Sequence, residues 1–198
     1  MTKIITISRE FGSGGRQIGQ LLAERLGIPF YDKDLIKMAA EDIEIEEHIF
    51  EMYDEKFMEK EEVTYTPFSH TYEVPMSDQI FVAQSRVIHR LAEHGPCVIV
   101  GRCADMVLKD EQCLNLFFYA HFKKRVQRLL TLEHLSQDHV KEMEKRVREI
   151  DRKRKDYYQY YTGNEWGKPQ NYHLCLDSQK AGMEACLDAA IAYMAHLE

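Results

Sequence analysis

The sequence predicts a three-layer α/β fold, a parallel sheet flanked by helices on both sides, and three observations carry that expectation. Short apolar runs at 97–100 and 114–119 are flanked by stretches of helical period, and an apolar strand between helices needs cover on both faces, as a central parallel strand has. Strand-like and helix-like segments alternate along the chain, the pattern of parallel α/β proteins. A glycine cluster joins the first strand-like run to the first helix-like one.

The elements follow in order. Residues 3–8, K-I-I-T-I-S, form a β-branched strand. After the glycines, 17–26 carries Ile18, Leu21, Leu22 and Leu26 at helical spacing, and Gly27 fits the helix C-cap. A second short strand is expected at 28–31, ending at Asp32. Residues 33–62 read as a highly charged helical stretch, and 63–75, with Pro67 and Pro75, as an extended or loop segment. Ser77 is the expected N-cap of a helix over 79–94, with Ile80, Val87, Ile88 and Leu91 on its apolar face, stopped by Gly95-Pro96. The apolar strands 97–100 and 114–119 come next, then helices at 123–135 and, capped by Ser136, 137–158. A strand at 172–176 and a last helix at 179–197 close the chain.

At 198 residues the chain suits one core, and 1–198 is read as a single domain carrying an insertion. No apolar run is long enough for a membrane span or a secretory signal. A cytoplasmic protein with no membrane partner is expected. The five cysteines, Cys97, Cys103, Cys113, Cys175 and Cys186, are odd in number and form no C-x-x-C pair, so they are read as buried thiols. The nine histidines show no H-E-x-x-H or paired spacing, and no metal site is read from them. Of the acids behind the net charge of −7, eleven fall between 41 and 62; the remainder, 22 acids against 24 basic residues, is mildly basic. Anionic small molecules are therefore eligible partners, whereas the acidic total and the lack of a recognisable module argue against nucleic acid. The acidic segment itself has a second reading, as a contact arm through which a homo-oligomer would form.

The stretch Ile7-Ser8-Arg9-Glu10-Phe11-Gly12-Ser13-Gly14-Gly15-Arg16 lies between the first strand and the first helix. Glycines there let backbone N–H groups turn toward a phosphate, and the helix start adds partial positive charge. The loop departs from G-x-x-x-x-G-K-[ST], because Gly15 stands in the lysine position and Arg16 follows it. Arg16 would then supply the charge that lysine usually supplies. The basic run 145–155 has an ordinary explanation as a solvated helix face laced with acids, and Asp32 and Asp177 could each cap the helix that follows.

The run ITISREFGSGGRQIGQLLAERLGIPFYDKDLI resembles the N-terminus of the cytidylate kinase-like family. The pieces Val98-Ile99-Val100-Gly101-Arg102, Asp151-Arg152-Lys153-Arg154 and Leu174-Cys175-Leu176-Asp177-Ser178 follow in that family's order. The resemblance implies a nucleoside monophosphate kinase fold with a P-loop, a helical acceptor-binding insertion at 33–96 and a lid at 137–170. The implied reaction is transfer of the ATP γ-phosphoryl group to CMP or dCMP with magnesium. It further implies that Gly12, Ser13, Gly14, Gly15 and Arg16 hold the donor phosphates. Asp32, Arg102 and Asp177 would serve the acceptor, and Arg148, Arg152 and Arg154 would close as lid arginines, with Tyr157, Tyr158, Tyr160 and Tyr161 near enough to stack on a base. Three departures separate the chain from the typical pattern: the missing lysine and following hydroxyl, Cys103 where the family has Asp after Gly-Arg, and Lys33 and Lys37 where an acceptor-side Ser and Arg are usual. Two other readings stay open: a kinase with another small acceptor, and a nucleotide-binding protein without turnover.

Overall fold

A computed structural model describes residues 4–32, 34–42 and 74–197. Its centre is β1 (Ile4–Arg9), the middle strand of a five-stranded sheet in the order β2-β3-β1-β4-β5. The others are β2 (Phe30–Tyr31), β3 (Val98–Val100), β4 (Cys113–Tyr119) and β5 (Leu174–Asp177), and every pairing is parallel. β1 pairs with β4 over six positions, from Ile4 opposite Cys113 to Arg9 opposite Phe118.

The two-residue alternation of a strand sorts the apolar side chains. Ile5, Ile7, Val98, Val100, Leu114, Leu116 and Phe118 face α1 (Gly15–Leu26) and α7 (Ser178–Ala195), which bring Ile18, Leu22, Leu187 and Ala190. Ile4, Cys97, Ile99 and Cys113 face the opposite way, onto α2 (Asp34–Asp42), α3 (Met76–Glu93) and α4 (Ala104–Val107). The sheet is thus buried on both faces, which explains why its central strands lack polar alternation. A third cluster joins Val126, Leu129 and Leu130 of α5 (Phe122–Leu132) to Met143 and Val147 of α6 (Val140–Thr162).

The expected strands and helices are found, with shifted ends. Gly27 caps α1 with a left-handed φ of 65°, its N–H reaching the Ala23 and Glu24 carbonyls. Ser77 is not a cap: α3 begins at Met76 after Pro75, and the Ser77 carbonyl accepts from the Tyr161 hydroxyl at 3.0 Å. Ser136 does not cap a long helix either. A 3-10 turn, Gln137–His139, intervenes, and the Ser136 hydroxyl pairs with Asp138 and His139 instead of a helix amide. β5 starts two residues later than expected, because the pairing of His173 N–H with the Asn115 carbonyl at 2.8 Å sets its register. α4 and the 3-10 turn Pro169–Asn171 were too short to carry a period.

Four cysteines are buried and Cys175 is half-buried. Of the charged stretch 33–62, residues 34–42 are helical; the rest, the proposed contact arm and the segment 63–73 lie outside the described residues. Among the described residues no helix is long and apolar enough to cross a membrane.

Candidate functional site

The chain leaves β1 at Arg9 and turns through the glycines into α1, at the carboxyl ends of the strands where open parallel sheets bind ligands. Gly12 and Gly14 take φ of 80° and 86°, left-handed values that glycine adopts without steric cost. The turn brings the first amides of α1 to the sheet end, where the helix macrodipole places partial positive charge.

The loop is held from behind. Arg125 of α5 is buried, donating from Nε to the Ala120 carbonyl at 3.1 Å and from Nη1 to the Phe11 carbonyl at 3.0 Å and Asp151 Oδ2 at 2.5 Å. Asp151 of α6 accepts the Phe11 N–H on its other oxygen at 2.7 Å. Glu10 accepts the Ala120 N–H at 3.1 Å and lies 3.2 Å from Arg125 Nε. Burial raises the Glu10 carboxyl above its usual range, against the pull of the Ala120 amide and Arg125. On the α7 side, the Ser178 hydroxyl donates to the Ser13 carbonyl at 2.5 Å. Arg128, also on α5, lies over Gly14 and donates to Gln17 Oε1 at 2.6 Å.

In front of the loop, among the described residues, four arginines gather about the carboxylate of Asp32. Asp32, just past β2, accepts from Arg16 Nε at 2.5 Å on one oxygen, and Arg9 Nη2 lies 3.6 Å from the other. Arg154 of α6 donates to the Arg9 carbonyl at 2.8 Å. The Arg9 head rests on Gly101 at the end of β3. Burial holds Arg9 well below its ordinary pKa, with Arg154 adding to the depression, Asp32 opposing it, and Arg102 and Arg16 lowering it further. Arg102 is depressed chiefly by burial too. It follows Gly101 in a turn where Gly101, Arg102 and Cys103 take φ of 80°, 57° and 53°. The left-handed region costs a non-glycine residue roughly 1–2 kcal/mol, and such strain collects at functional sites. Four guanidinium groups converging at the mouth of the glycine loop are an arrangement suited to phosphate.

The structure therefore gathers Gly12, Ser13, Gly14 and Gly15 into one loop, with Arg16, Asp32, Arg102 and Arg154 beside it. Two expected site residues, Arg148 and Arg152, stand apart, and Asp177 stands on the other side of the loop from Asp32, next to Ser178, whose hydroxyl holds the Ser13 carbonyl. Arg148 lies over the Phe122 ring at 4.2 Å and 3.7 Å from Glu144, and Arg152 is exposed. Asp177, at the end of edge strand β5, is separated from Asp32 by the full width of the sheet and is the N-cap of α7, accepting from the Gln179 and Lys180 amides at 3.1 Å. The expected lid at 137–170 holds one continuous helix whose inward stripe is Met143, Val147, Asp151, Arg154, Tyr158 and Tyr161. Three of its tyrosines are turned inward: Tyr158 donates to the buried Asp105 at 2.6 Å, Tyr157 to Gln84 at 3.0 Å, and Tyr161 stacks on Phe81 at 3.9 Å, while Tyr160 is exposed. Asp105 is raised by burial, against the Tyr158 hydrogen bond.

Sequence reading missed Arg9, Arg125 and Arg128. The signals were an arginine closing the strand directly before the glycines, and two arginines three apart on the helix that faces them. A groove of about 550 Å³ runs between α1 and β2, but among the described residues Arg16 is the one cation lining it, so the charge points to the cluster instead. Among the described residues no group of three His, Cys, Asp or Glu could hold a metal.

The parallel sheet and the glycine loop between its first strand and first helix give the chain the fold of P-loop kinases. Comparison with solved structures agrees. The chain aligns over 96% of its length with 97% of an uncharacterized protein from Eubacterium ventriosum, at 26% identity and a TM-score of 0.72. A shikimate kinase from Bacteroides thetaiotaomicron (14% identity, TM-score 0.56, 100% and 98% covered) and a gluconokinase from Sinorhizobium meliloti (15%, 0.55, 99% and 93%) share the fold. No curated protein sequence matches the chain. The profile of the cytidylate kinase-like family matches residues 4–180, and the chain belongs to that family. It is a phosphotransferase, a small-molecule kinase.

Proposed function

We propose that the chain transfers the γ-phosphoryl group of ATP to a small anionic acceptor, with CMP or dCMP as the acceptor that family membership favours. The observation that carries this reading is the convergence of Arg9, Arg16, Arg102 and Arg154 directly in front of the glycine loop. Phosphoryl transfer passes through a loose transition state, so a protein contributes position and positive charge more than covalent chemistry. The loop amides and the start of α1 would hold the donor phosphates. Arg102, on its strained turn, would hold the acceptor, and Arg154 would bring α6 to the junction. The glycine turn fits a polyphosphate: Cβ atoms on Gly12 and Gly15 would meet neighbours at 2.9 and 2.7 Å, so the backbone itself forms the cradle. Magnesium would supply charge neutralisation to the donor phosphates; Ser13 of the loop and Asp32 beside it would be its protein contacts, and most of its shell would be nucleotide and water.

A second acceptor class, a small hydroxylated acid, is favoured by one observation. Phe81, Tyr157 and Tyr161 pack between α3 and α6 on the Arg102 side, and Asp177 lies at the far sheet edge, so neither the tyrosines nor that acid is turned to read a base there. ADP formation from ATP and magnesium across CMP, dCMP, UMP, AMP, GMP and a set of hydroxy acids separates the readings. Stimulation by CMP or dCMP alone supports the cytidylate reading; stimulation by a hydroxy acid alone replaces it. Nucleotide binding with no acceptor-dependent ADP rejects turnover.

A further inference from the structure

The glycine loop lacks the lysine of G-x-x-x-x-G-K-[ST], which reaches the β- and γ-phosphates, yet the space that side chain would leave from is not vacant. A Cβ built on Gly15 would lie 2.7 Å from Arg9 Cβ and 3.0 Å from Phe118 Cβ. The Arg9 stem passes across that position from the end of β1, and its head continues to the β3 end, where a Cβ on Gly101 would fall on Arg9 Nη1. Both glycines are required by the course of one arginine.

Arg9 is also fixed at both ends. Its carbonyl accepts from Arg154 Nη1 at 2.8 Å, and its Nη2 is 3.6 Å from Asp32 Oδ1. Its side chain is 18% exposed. Arg16, the residue that the sequence offers as the substitute, is placed differently. Its Nε is bonded to Asp32 at 2.5 Å, its guanidinium lies 5.8 Å from the Phe30 ring centre at the sheet edge, and its side chain is 56% exposed. Arg9 stands between the donor loop and the Arg102 turn, where a transferred group must pass; Arg16 stands outside that line.

We propose that Arg9 is a catalytic residue that contacts the transferred phosphoryl group in place of the loop lysine, and that position 15 is glycine because the Arg9 stem occupies its side-chain space. The inference rests on the kinase reading. In the step, the bond from Pγ to the β-phosphate oxygen breaks and its electron pair leaves on ADP, while a bond from Pγ to the acceptor oxygen forms. A hydroxyl acceptor releases its proton to solvent, and a phosphate acceptor has none to release. Arg9 stays protonated and balances charge on the equatorial oxygens.

The test compares the full chain with Arg9→Met, Arg9→Lys and Arg16→Met, measuring calorimetric affinity for ADP and for the β,γ-imido analogue of ATP with magnesium, and turnover with the best acceptor. Loss of one preorganised transition-state donor lowers kcat by about 100-fold. Arg9→Met is expected to show that loss, to weaken the analogue about tenfold and to leave ADP within about threefold, because ADP lacks the γ-phosphate. Arg9→Lys should recover part of the turnover, and Arg16→Met should keep the wild-type ratio of analogue to ADP affinity. An Arg9→Met protein that binds ADP normally and keeps that ratio overturns the inference. If Arg9→Met fails to fold, the ratio in Arg9→Lys decides instead: a lowered analogue-to-ADP affinity ratio supports the inference, and a ratio equal to wild type overturns it. A wild-type protein that binds the analogue but phosphorylates no acceptor defeats the kinase reading, while the analogue-to-ADP ratio still judges Arg9.

Discussion

At the scale of single residues, the site is shaped by what glycine leaves out. Gly15→Ala would set a Cβ against the Arg9 and Phe118 β-carbons, neither of which can swing away as a side-chain tip can. Forcing extra volume into such a place costs about 1–3 kcal/mol. The expected outcome is a lower melting temperature together with loss of ADP binding; an unchanged melting temperature with normal affinity refutes the close packing of Arg9 on the loop. The glycines were legible because their place between strand and helix has one common use. Arg9 was not legible, because a strand-end arginine does not announce which way its side chain runs. Arg125 and Arg128 were hidden for a similar reason: on a helix with four basic residues among eleven, only packing decides which of them face inward.

At the scale of elements, α6 does more than a charged surface helix. The spacing of Met143, Val147, Asp151, Arg154, Tyr158 and Tyr161 in steps of three and four marks one face of a helix. The first two are core residues, and the later ones meet the loop, Arg9, Asp105 and Phe81 in turn. Sequence reading took 145–155 as a solvated face or a lid, since the stripe turns from apolar to polar midway and hydrophobic periodicity fades there. Strands and most helices were readable because their burial is apolar. Asp151 gives the test. Removing one member of a buried ion pair leaves the other charge uncompensated, and Arg125 is only 7% exposed. Asp151→Ala is expected to cost about 3 kcal/mol in urea denaturation. Arg146→Ala, on the same helix but paired with Glu133 at a half-exposed site, should cost under about 1 kcal/mol. Equal losses in the two variants contradict the pinning of α6 to the loop.

At the scale of the whole molecule, two electrostatic effects on an anionic ligand oppose each other. The chain carries a net charge of −7, which repels nucleotides at long range, while the arginine cluster attracts them at contact distance. Range decides between them. A folded chain of this length has a radius of gyration of roughly 16 Å, and the Debye length is about 10 Å at 0.1 M salt and shorter above it. Eleven of the acids are concentrated between 41 and 62, and the remaining 22 acids face 24 basic residues, so the repulsion is carried by one stretch of chain. Above 0.1 M salt that repulsion is largely screened, and what further salt weakens is the attraction of Arg9, Arg16, Arg102 and Arg154. The Kd for ADP is therefore expected to rise about three- to tenfold between 0.1 and 0.5 M sodium chloride, measured by calorimetry at constant pH. Arg16→Met, which removes the most exposed member of the cluster, should flatten that rise. A Kd that falls with salt over this interval would mean that the acidic total governs binding, and that the arginine cluster at the sheet end is not where the nucleotide sits.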